Sequence, residues 1–198
     1  DQFSLTKEQI FKAVSAKIIL NGELVDNKYK YWSDIDTALP KVKIDVLSPP
    51  PSSGTRDAFV ELIMHDVCKK IYKMEKKGDS GYKAQCSALR EDGHVVEAGE
   101  NDNLIIEKLS DNTERFGIFG FSFLDQNKDK VQGSLVNGVE PTFDTIADGS
   151  YKVSRPLFFY VKKEHIGVVP GLQEFSDYFM SLTDEDGPLA EAGLIPLN

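Results

Sequence analysis

Residues 43–59 read Lys43-Ile-Asp-Val-Leu-Ser-Pro-Pro-Pro-Ser-Ser-Gly-Thr-Arg-Asp-Ala-Phe59. The β-branched residues within 43–47 favour a strand. The three prolines that follow exclude both a helix and a strand ladder, because proline lacks the backbone donor that either one needs. From Thr55 onward, apolar residues recur at the spacing of one helix face: Phe59, Leu62, Ile63, Val67 and Ile71. The pattern predicts a strand, a stiff turn and a long helix that ends near Gly78.

Helical and strand patterns alternate through the rest of the chain, which is typical of an α/β fold. Thr6 and Gln9 form a capping-box pattern that predicts the first helix. Residues 21–40 look irregular, and we expect them to form turns over the edge of a sheet. Residues 156–161 are the most apolar segment and predict a buried strand.

The composition excludes several classes of partner. The chain has 198 residues, with 23 basic and 32 acidic side chains and a formal net charge of -9. A general binder of nucleic acid or of anionic membranes should carry a basic face, so we expect no nucleic-acid partner. No apolar run approaches the ~20 residues of a membrane span. If the protein binds an anion, local hydrogen bonds must hold it rather than the overall field.

The start of the helix at residues 52–56 has the composition of an anion site. A helix start presents free backbone N–H groups and the positive end of the helix dipole. Ser53 and Thr55 add hydroxyl donors, Gly54 permits close approach to the backbone, and Arg56 matches an oxyanion with a planar fork of donors. The alternative is that Ser53 only caps the helix and Arg56 pairs with Asp57 or another carboxylate.

Other patterns carry less chemistry. The segment lacks both the Gly-Lys-Ser/Thr ending of a Walker loop and the Gly-x-Ser-x-Gly of a nucleophile elbow. The three histidines are scattered and show no metal-ligand spacing, so we expect no metal site. Ser52 and Asn101 are further candidates for the edge of an anion cleft. Cys68 and Cys86 match no redox or zinc motif, and their spacing leaves a disulfide and two buried thiols equally open.

Seven segments, in the same order, resemble the periplasmic phosphate-binding proteins of bacterial high-affinity phosphate ABC transporters. The most telling is Pro-Pro-Pro-Ser-Ser-Gly-Thr-Arg, which is similar to the anion-binding loop of that family. In many relatives the arginine precedes the Ser-Gly-Thr, whereas here it follows. The seven segments are residues 5–11, 32–35, 49–59, 99–105, 116–123, 155–161 and 193–197.

The resemblance implies an α/β fold like that of the type II periplasmic binding proteins, in which two lobes clamp an anion. Residues 1–153 resemble the complete second lobe with the anion loop, and residues 154–198 resemble the C-terminal segment that returns to the first lobe. The N-terminal part of the first lobe is missing by this comparison. The chain also begins at Asp1 without an initiator Met or signal peptide, so we expect a processed or trimmed product.

The resemblance implies a periplasmic receptor that binds inorganic phosphate for the membrane subunits of an ABC importer. It implies no cofactor and no enzyme activity. Phosphate would contact Ser53, Gly54, Thr55 and Arg56, and export favours a Cys68–Cys86 disulfide.

Two alternatives to this function stay open. One is a phosphomonoesterase with Ser53 or Thr55 as nucleophile, and the other is a truncated receptor kept for signalling or adhesion. Without first-lobe neighbours, three outcomes are open for residues 156–161: disorder, pairing with a second copy of the chain, or pairing with a retained N-terminal fragment. We expect one of the two pairings, because disorder would expose a highly apolar segment.

Overall fold

The computed structural model describes residues 2–74, 81–99, 101–184 and 187–195. Short strands and helices alternate along them, as predicted for an α/β fold. The strands are β1 (Ser4–Leu5), β2 (Lys17–Leu20), β3 (Glu23–Asp26), β4 (Val46–Ser48), β5 (Val95–Glu97), β6 (Phe116–Gly117) and β7 (Leu135–Val136). The helices are α1 (Lys7–Val14), α2 (Trp32–Ile35), α3 (Gly54–Phe59), α4 (Asp66–Lys70), α5 (Tyr82–Cys86), α6 (Asp102–Ser110), α7 (Phe121–Gln126), α8 (Phe143–Ala147), α9 (Leu172–Ser181) and α10 (Pro188–Glu191).

The sheet that positions the candidate site has three parallel strands in the order β5-β4-β6. In register, Val46 of β4 lies opposite Val95 on one side and Phe116 on the other. Parallel strands present their carboxyl ends at one edge of the sheet, where ligands of α/β folds commonly bind. The turn after β4 therefore leaves the centre of that edge.

The expected long helix after the proline turn is present from Gly54 to Lys70, but its middle differs. Residues Val60–His65 form a π-helical segment between α3 and α4. Phe59, Ile63 and Val67 are buried as predicted, whereas Ile71 is exposed. The predicted helix end near Gly78 lies outside the described residues.

The irregular structure expected for residues 21–40 is wrong at its start, because β2 and β3 form an antiparallel hairpin. Its turn is Asn21-Gly22, with φ angles of 53° and 85°. Two successive positive φ angles give a turn whose twist matches that of paired strands, and Asn-Gly is the favoured sequence for it. The Asn-Gly pair is therefore the sequence signal that favours a hairpin over irregular structure here.

Two local predictions are confirmed. The capping box of α1 is formed, since Thr6 Oγ1 accepts the N–H of Gln9 at 3.1 Å and Gln9 Oε1 accepts the N–H of Thr6 at 2.8 Å. Cys68 and Cys86 form a disulfide that joins α4 to α5.

A buried lysine ammonium connects three parts of the chain. Lys7 Nζ donates to the Leu62 carbonyl in the π-helical segment at 2.8 Å, to Asp66 Oδ2 at 3.1 Å and to the Lys152 carbonyl at 3.2 Å. Burial alone would raise the pKa of Asp66, but hydrogen bonds from Lys70 and Lys7 outweigh it and hold that pKa below its ordinary value. Lys7 thus ties the first helix to the long helix and to Lys152, which comes just before the C-terminal segment.

The buried strand predicted at residues 156–161 is wrong. Residues 154–162 have no regular secondary structure, and the exposed fractions of Leu157, Phe158 and Tyr160 are 71%, 67% and 90%. A strand needs a neighbour for its backbone hydrogen bonds, and the described residues provide none here. The division of the chain at residue 153 stays a prediction. Among the described residues, no helix is long and apolar enough to cross a membrane.

The Lys7 contacts give a stability prediction. Lys7→Met should lower the free energy of unfolding by about 1–3 kcal/mol, because it removes the three hydrogen bonds that the Lys7 ammonium donates to Leu62, Asp66 and Lys152. The matched control is Lys12→Met on the same helix, where the ammonium forms an i,i+4 ion pair with Glu8; this change should cost less than about 0.5 kcal/mol. Urea denaturation at neutral pH measures both.

The cost of Lys7→Met should also depend on pH. The lowered pKa of Asp66 means that its contribution to stability is complete above the ordinary value of 3.8 and is lost as the pH falls through the lowered pKa. The difference between wild type and Lys7→Met should therefore shrink at acid pH. An equal cost for Lys7→Met and Lys12→Met at neutral pH would contradict the role given to Lys7.

Candidate functional site

The proline turn ends in a capped helix start. Ser53 donates its N–H to the Pro50 carbonyl at 3.0 Å, and its extended backbone (φ -80°, ψ 132°) makes it the N-cap of α3. Its Oγ accepts the N–H of Thr55 at 3.2 Å. The N–H of Gly54, the first of the helix, has no acceptor among the described residues. The predicted cap is thus present, and it leaves an N–H donor at the positive end of the helix.

This helix start borders a large open cavity of about 2060 Å³. Ser53, Gly54 and Thr55 line it on one side. Residues 116–122, from β6 to the start of α7, and residues 151–159 line it elsewhere. The structure therefore brings three of the predicted site residues together at the mouth of a space large enough for a small anion and further protein.

Gly54 leaves its backbone open towards the cavity. A Cβ built on Gly54 would lie 3.9 Å from Arg155 Nη2 and would meet no nearer atom of the described chain. Its φ is not in the left-handed region, so the backbone conformation does not require glycine either. The fold thus has no need of a glycine here, whereas a ligand that approaches the Gly54 backbone closely would.

Arg56 fastens the loop to the strand before it, and its contact with phosphate stays a prediction. Its Nη1 donates to Ser48 Oγ at 2.8 Å and to the Pro49 carbonyl at 3.1 Å, so it fastens the helix to the end of β4. Burial lowers the pKa of Arg56 from its ordinary value, although the charges of Glu97 and Asp57 oppose this. The lowered pKa of the guanidinium is still far above neutral pH, so Arg56 stays positively charged. Its hydrogen-bond acceptors are neutral groups, and the side chain does not line the cavity.

The two outer candidates also lie off the cavity wall. Ser52 is exposed beside the loop. Asn101 is the N-cap of α6, with its Oδ1 accepting the N–H of Asn103 at 3.0 Å. The Ala98 N–H donates to the Ser48 carbonyl at 3.0 Å, so β5 and β4 end side by side. Asn101 follows three residues after Ala98, at the same edge of the sheet. A role for Ser52 and Asn101 in anion binding stays a prediction.

Arg155 is a site residue that the sequence reasoning missed. Its Nη2 donates to the Gly54 carbonyl at 3.1 Å, and its Nη1 lies 3.7 Å from Glu61 Oε2. Arg155 is 101 positions from Gly54 along the chain, so no local pattern could have paired them. Its one signal in the sequence was its place at the start of the apolar segment.

The described contacts suit binding better than hydrolysis. A serine or threonine nucleophile needs a base within hydrogen-bond reach. Ser53 Oγ instead accepts a backbone N–H, and His94 Nδ1 lies 2.7 Å from the Ile44 carbonyl. Within the described residues, no three His, Cys, Asp or Glu side chains stand together as metal ligands would.

The chain is similar to known binding proteins in sequence and in structure. A model described as a PBP superfamily domain matches residues 1–183. The phosphate-binding protein PstS of Staphylococcus haemolyticus is 33% identical over 196 residues, which is 96% of this chain and 50% of that protein. The chain therefore spans about half the length of the curated relatives that it matches.

Two solved structures share the fold. One, described as a possible phosphate binding protein from Planctomyces limnophilus, has a TM-score of 0.64 and 24% identity, with 98% of this chain and 60% of that chain covered. The other is PstS from Borrelia burgdorferi, with a TM-score of 0.63 and 22% identity over 99% of this chain and 64% of that chain. These matches confirm the predicted fold class.

The space around two glycines gives the next prediction. Gly54→Ala should leave the free energy of unfolding unchanged or raise it by up to about 1 kcal/mol, because the new methyl group has room and the unfolded chain loses freedom. Gly117→Ala is the contrast, since its Cβ would lie 2.7 Å from Ile105 Cγ2 and 2.9 Å from Leu109 Cδ1. Overpacking of this kind should cost about 1–3 kcal/mol. Denaturant titration of both variants is the measurement, and a strongly destabilised Gly54→Ala would mean that the fold itself requires this glycine.

Proposed function

Because the chain belongs to the PBP superfamily, we propose that it forms the phosphate-holding lobe of an extracytoplasmic receptor that captures inorganic phosphate for an ABC importer. The relatives named as phosphate-binding proteins support this proposal. The observation that carries it is the open helix start at Ser53, Gly54 and Thr55 on the cavity wall. Export to the periplasm and a handover to membrane subunits follow from the same proposal.

In this proposal phosphate lies against the first turn of α3. The Gly54 N–H and the hydroxyl hydrogens of Ser53 and Thr55 donate to phosphate oxygens. Ser53 Oγ can do so while it accepts the Thr55 N–H, because a hydroxyl both donates and accepts. Arg56 adds its positive charge from behind the loop, and its Nε and Nη2 donors are not used by Ser48 or Pro49. Ser52 and Asn101 would complete the rim.

The phosphomonoesterase alternative has no observation in its favour. Its hydroxyl nucleophile would need a base beside Ser53 or Thr55, whereas Ser53 Oγ is bonded to the Thr55 N–H and Arg155 contacts the Gly54 carbonyl. The matched relatives are named as binding proteins. We therefore propose a receptor that releases phosphate unchanged.

We further propose that the exposed apolar segment 156–161 is covered by the N-terminal part of a first lobe that lies outside this chain. The relatives are about twice as long as the matched region, which leaves enough sequence for such a lobe. A continuous apolar surface of this kind is rare on an isolated soluble protein. In this arrangement residues 1–153 form one lobe, and residues 154–198 belong with the other.

Charge at the helix cap provides the test of phosphate binding. Ser53→Asp should keep the cap, since Asp caps helices as well as Ser does, but it places a carboxylate where the phosphate binds. In the protein as its organism produces it, phosphate affinity by titration calorimetry should fall at least a hundredfold. Thr6→Asp makes the same change of charge and cap at α1, away from the loop, and should bind phosphate like the wild type.

Two outcomes would contradict the receptor proposal. Equal phosphate affinity of Ser53→Asp and Thr6→Asp would show that phosphate is held elsewhere. Turnover of a chromogenic phosphate ester by the unaltered protein, lost in Ser53→Ala, would favour the esterase.

The cover over residues 156–161 predicts slow amide exchange. In the protein as its organism produces it, the amides of residues 157–161 should be protected from hydrogen exchange by strand pairing, whereas the exposed turn at Gly22 should exchange quickly. Light scattering on the same sample distinguishes the source of the cover. A mass twice that of one polypeptide would assign it to a second copy, and fast exchange of residues 157–161 would refute the proposal.

A further inference from the structure

We propose that Arg155 is the cation that contacts the bound anion directly, and that Arg56 positions the loop; this inference rests on the proposed function. Arg155 lines the same cavity as Ser53, Gly54 and Thr55, and Arg56 does not. Arg155 would therefore make the direct contact with the anion that the sequence predicted for Arg56, and Arg56 would hold the loop in place.

The contacts of Arg56 are those of a positioning residue. Both hydrogens of its Nη1 go to the end of β4, at Ser48 Oγ and the Pro49 carbonyl. Ser48 Oγ also donates to the Pro49 carbonyl at 3.0 Å, so strand end, turn and helix are joined by one cluster of bonds. An anion that drew the Arg56 guanidinium away would remove the donor from the buried Ser48 hydroxyl and one of the two donors from the Pro49 carbonyl.

Three of the four other cations on the cavity wall are bonded away from the loop, and the fourth is Lys130. Arg115 forms an ion pair with Asp45 at 2.9 Å, and Lys128 pairs with Asp125. Lys152 donates to the Gly149 carbonyl at 2.6 Å. Among the described cations of the cavity, Arg155 is the one that hydrogen-bonds to the anion loop.

Arg155 is close enough to the helix start and has donors to spare. Its Nη2 lies 3.1 Å from the Gly54 carbonyl oxygen and 3.9 Å from the position of a Cβ on Gly54. A guanidinium has five N–H donors, and this bond uses one of them. Its ion pair with Glu61 is loose at 3.7 Å, and the Glu61 side chain is well exposed, so solvent screens it. A small rotation would turn two parallel donors onto an anion held by Gly54 and Thr55.

This contact would also link the ligand to the C-terminal segment. Arg155 comes three positions after Lys152, whose carbonyl accepts a hydrogen bond from Lys7. A charge near the loop is needed as well, since Asp57 and Glu61 on the same helix would otherwise repel a dianion. Arg155 lies 3.7 Å from the Glu61 carboxylate and would offset this negative charge on the cavity wall.

The test compares phosphate affinity in three variants of the protein as its organism produces it. Arg155→Gln should weaken phosphate binding at least tenfold, Arg155→Lys should restore part of the loss, and Lys162→Ala, an equal loss of charge at an exposed residue of the same segment, should have no effect. The melting temperature without phosphate should stay unchanged in all three, while the rise caused by added phosphate should be smaller in Arg155→Gln.

The outcomes separate this inference from the function on which it rests. If the wild type binds phosphate, Ser53→Asp does not, and Arg155→Gln binds within twofold of the wild type, the role of Arg155 is overturned and the receptor remains. Absence of phosphate binding in the wild type would overturn the proposed function and this inference with it. A lowered melting temperature of Arg155→Gln, restored by Arg155→Lys without restored affinity, would reduce Arg155 to a structural contact.

Discussion

Ser48 occupies the point where sheet, turn and helix meet, and it is completely buried. Its carbonyl accepts the N–H of Ala98 at 3.0 Å, and its hydroxyl accepts from Arg56 while it donates to the Pro49 carbonyl. Buried backbone groups must find partners, and the prolines that follow can donate none. Because the Ser48 side chain and Arg56 supply the missing bonds, the central strand can end inside the protein and still direct α3 towards the cavity.

Local sequence predicted the parts of the molecule that short-range bonds determine. The β-turn-α unit, the caps at Thr6 and Ser53, and the fold class could all be predicted, since proline, glycine and hydroxyl residues act on their immediate neighbours. The Cys68–Cys86 disulfide is confirmed, but it needed the family resemblance because spacing alone left it open.

The parts that could not be predicted depend on contacts between distant positions in the chain, or on whether a partner strand is present beside a segment. Arg155 contacts Gly54 across 101 positions, and the direction of the Arg56 side chain depends on a buried hydroxyl eight residues before it. The apolar pattern of residues 156–161 predicted a strand. Such a pattern carries no information on whether a partner strand is available. The π-helical segment carries the apolar spacing of an ordinary helix, so periodicity could not distinguish the two.

The three prolines before Ser52 have a kinetic consequence for the loop. Each fixes one backbone dihedral in the unfolded chain as well as in the folded one, so the turn loses little freedom when it forms. In the receptor that we propose, the same rigidity would apply when phosphate binds, because few torsions remain to be ordered at that moment. Capture would then be fast and would require little rearrangement of the loop, and the energy of binding would remain available for moving larger parts of the protein.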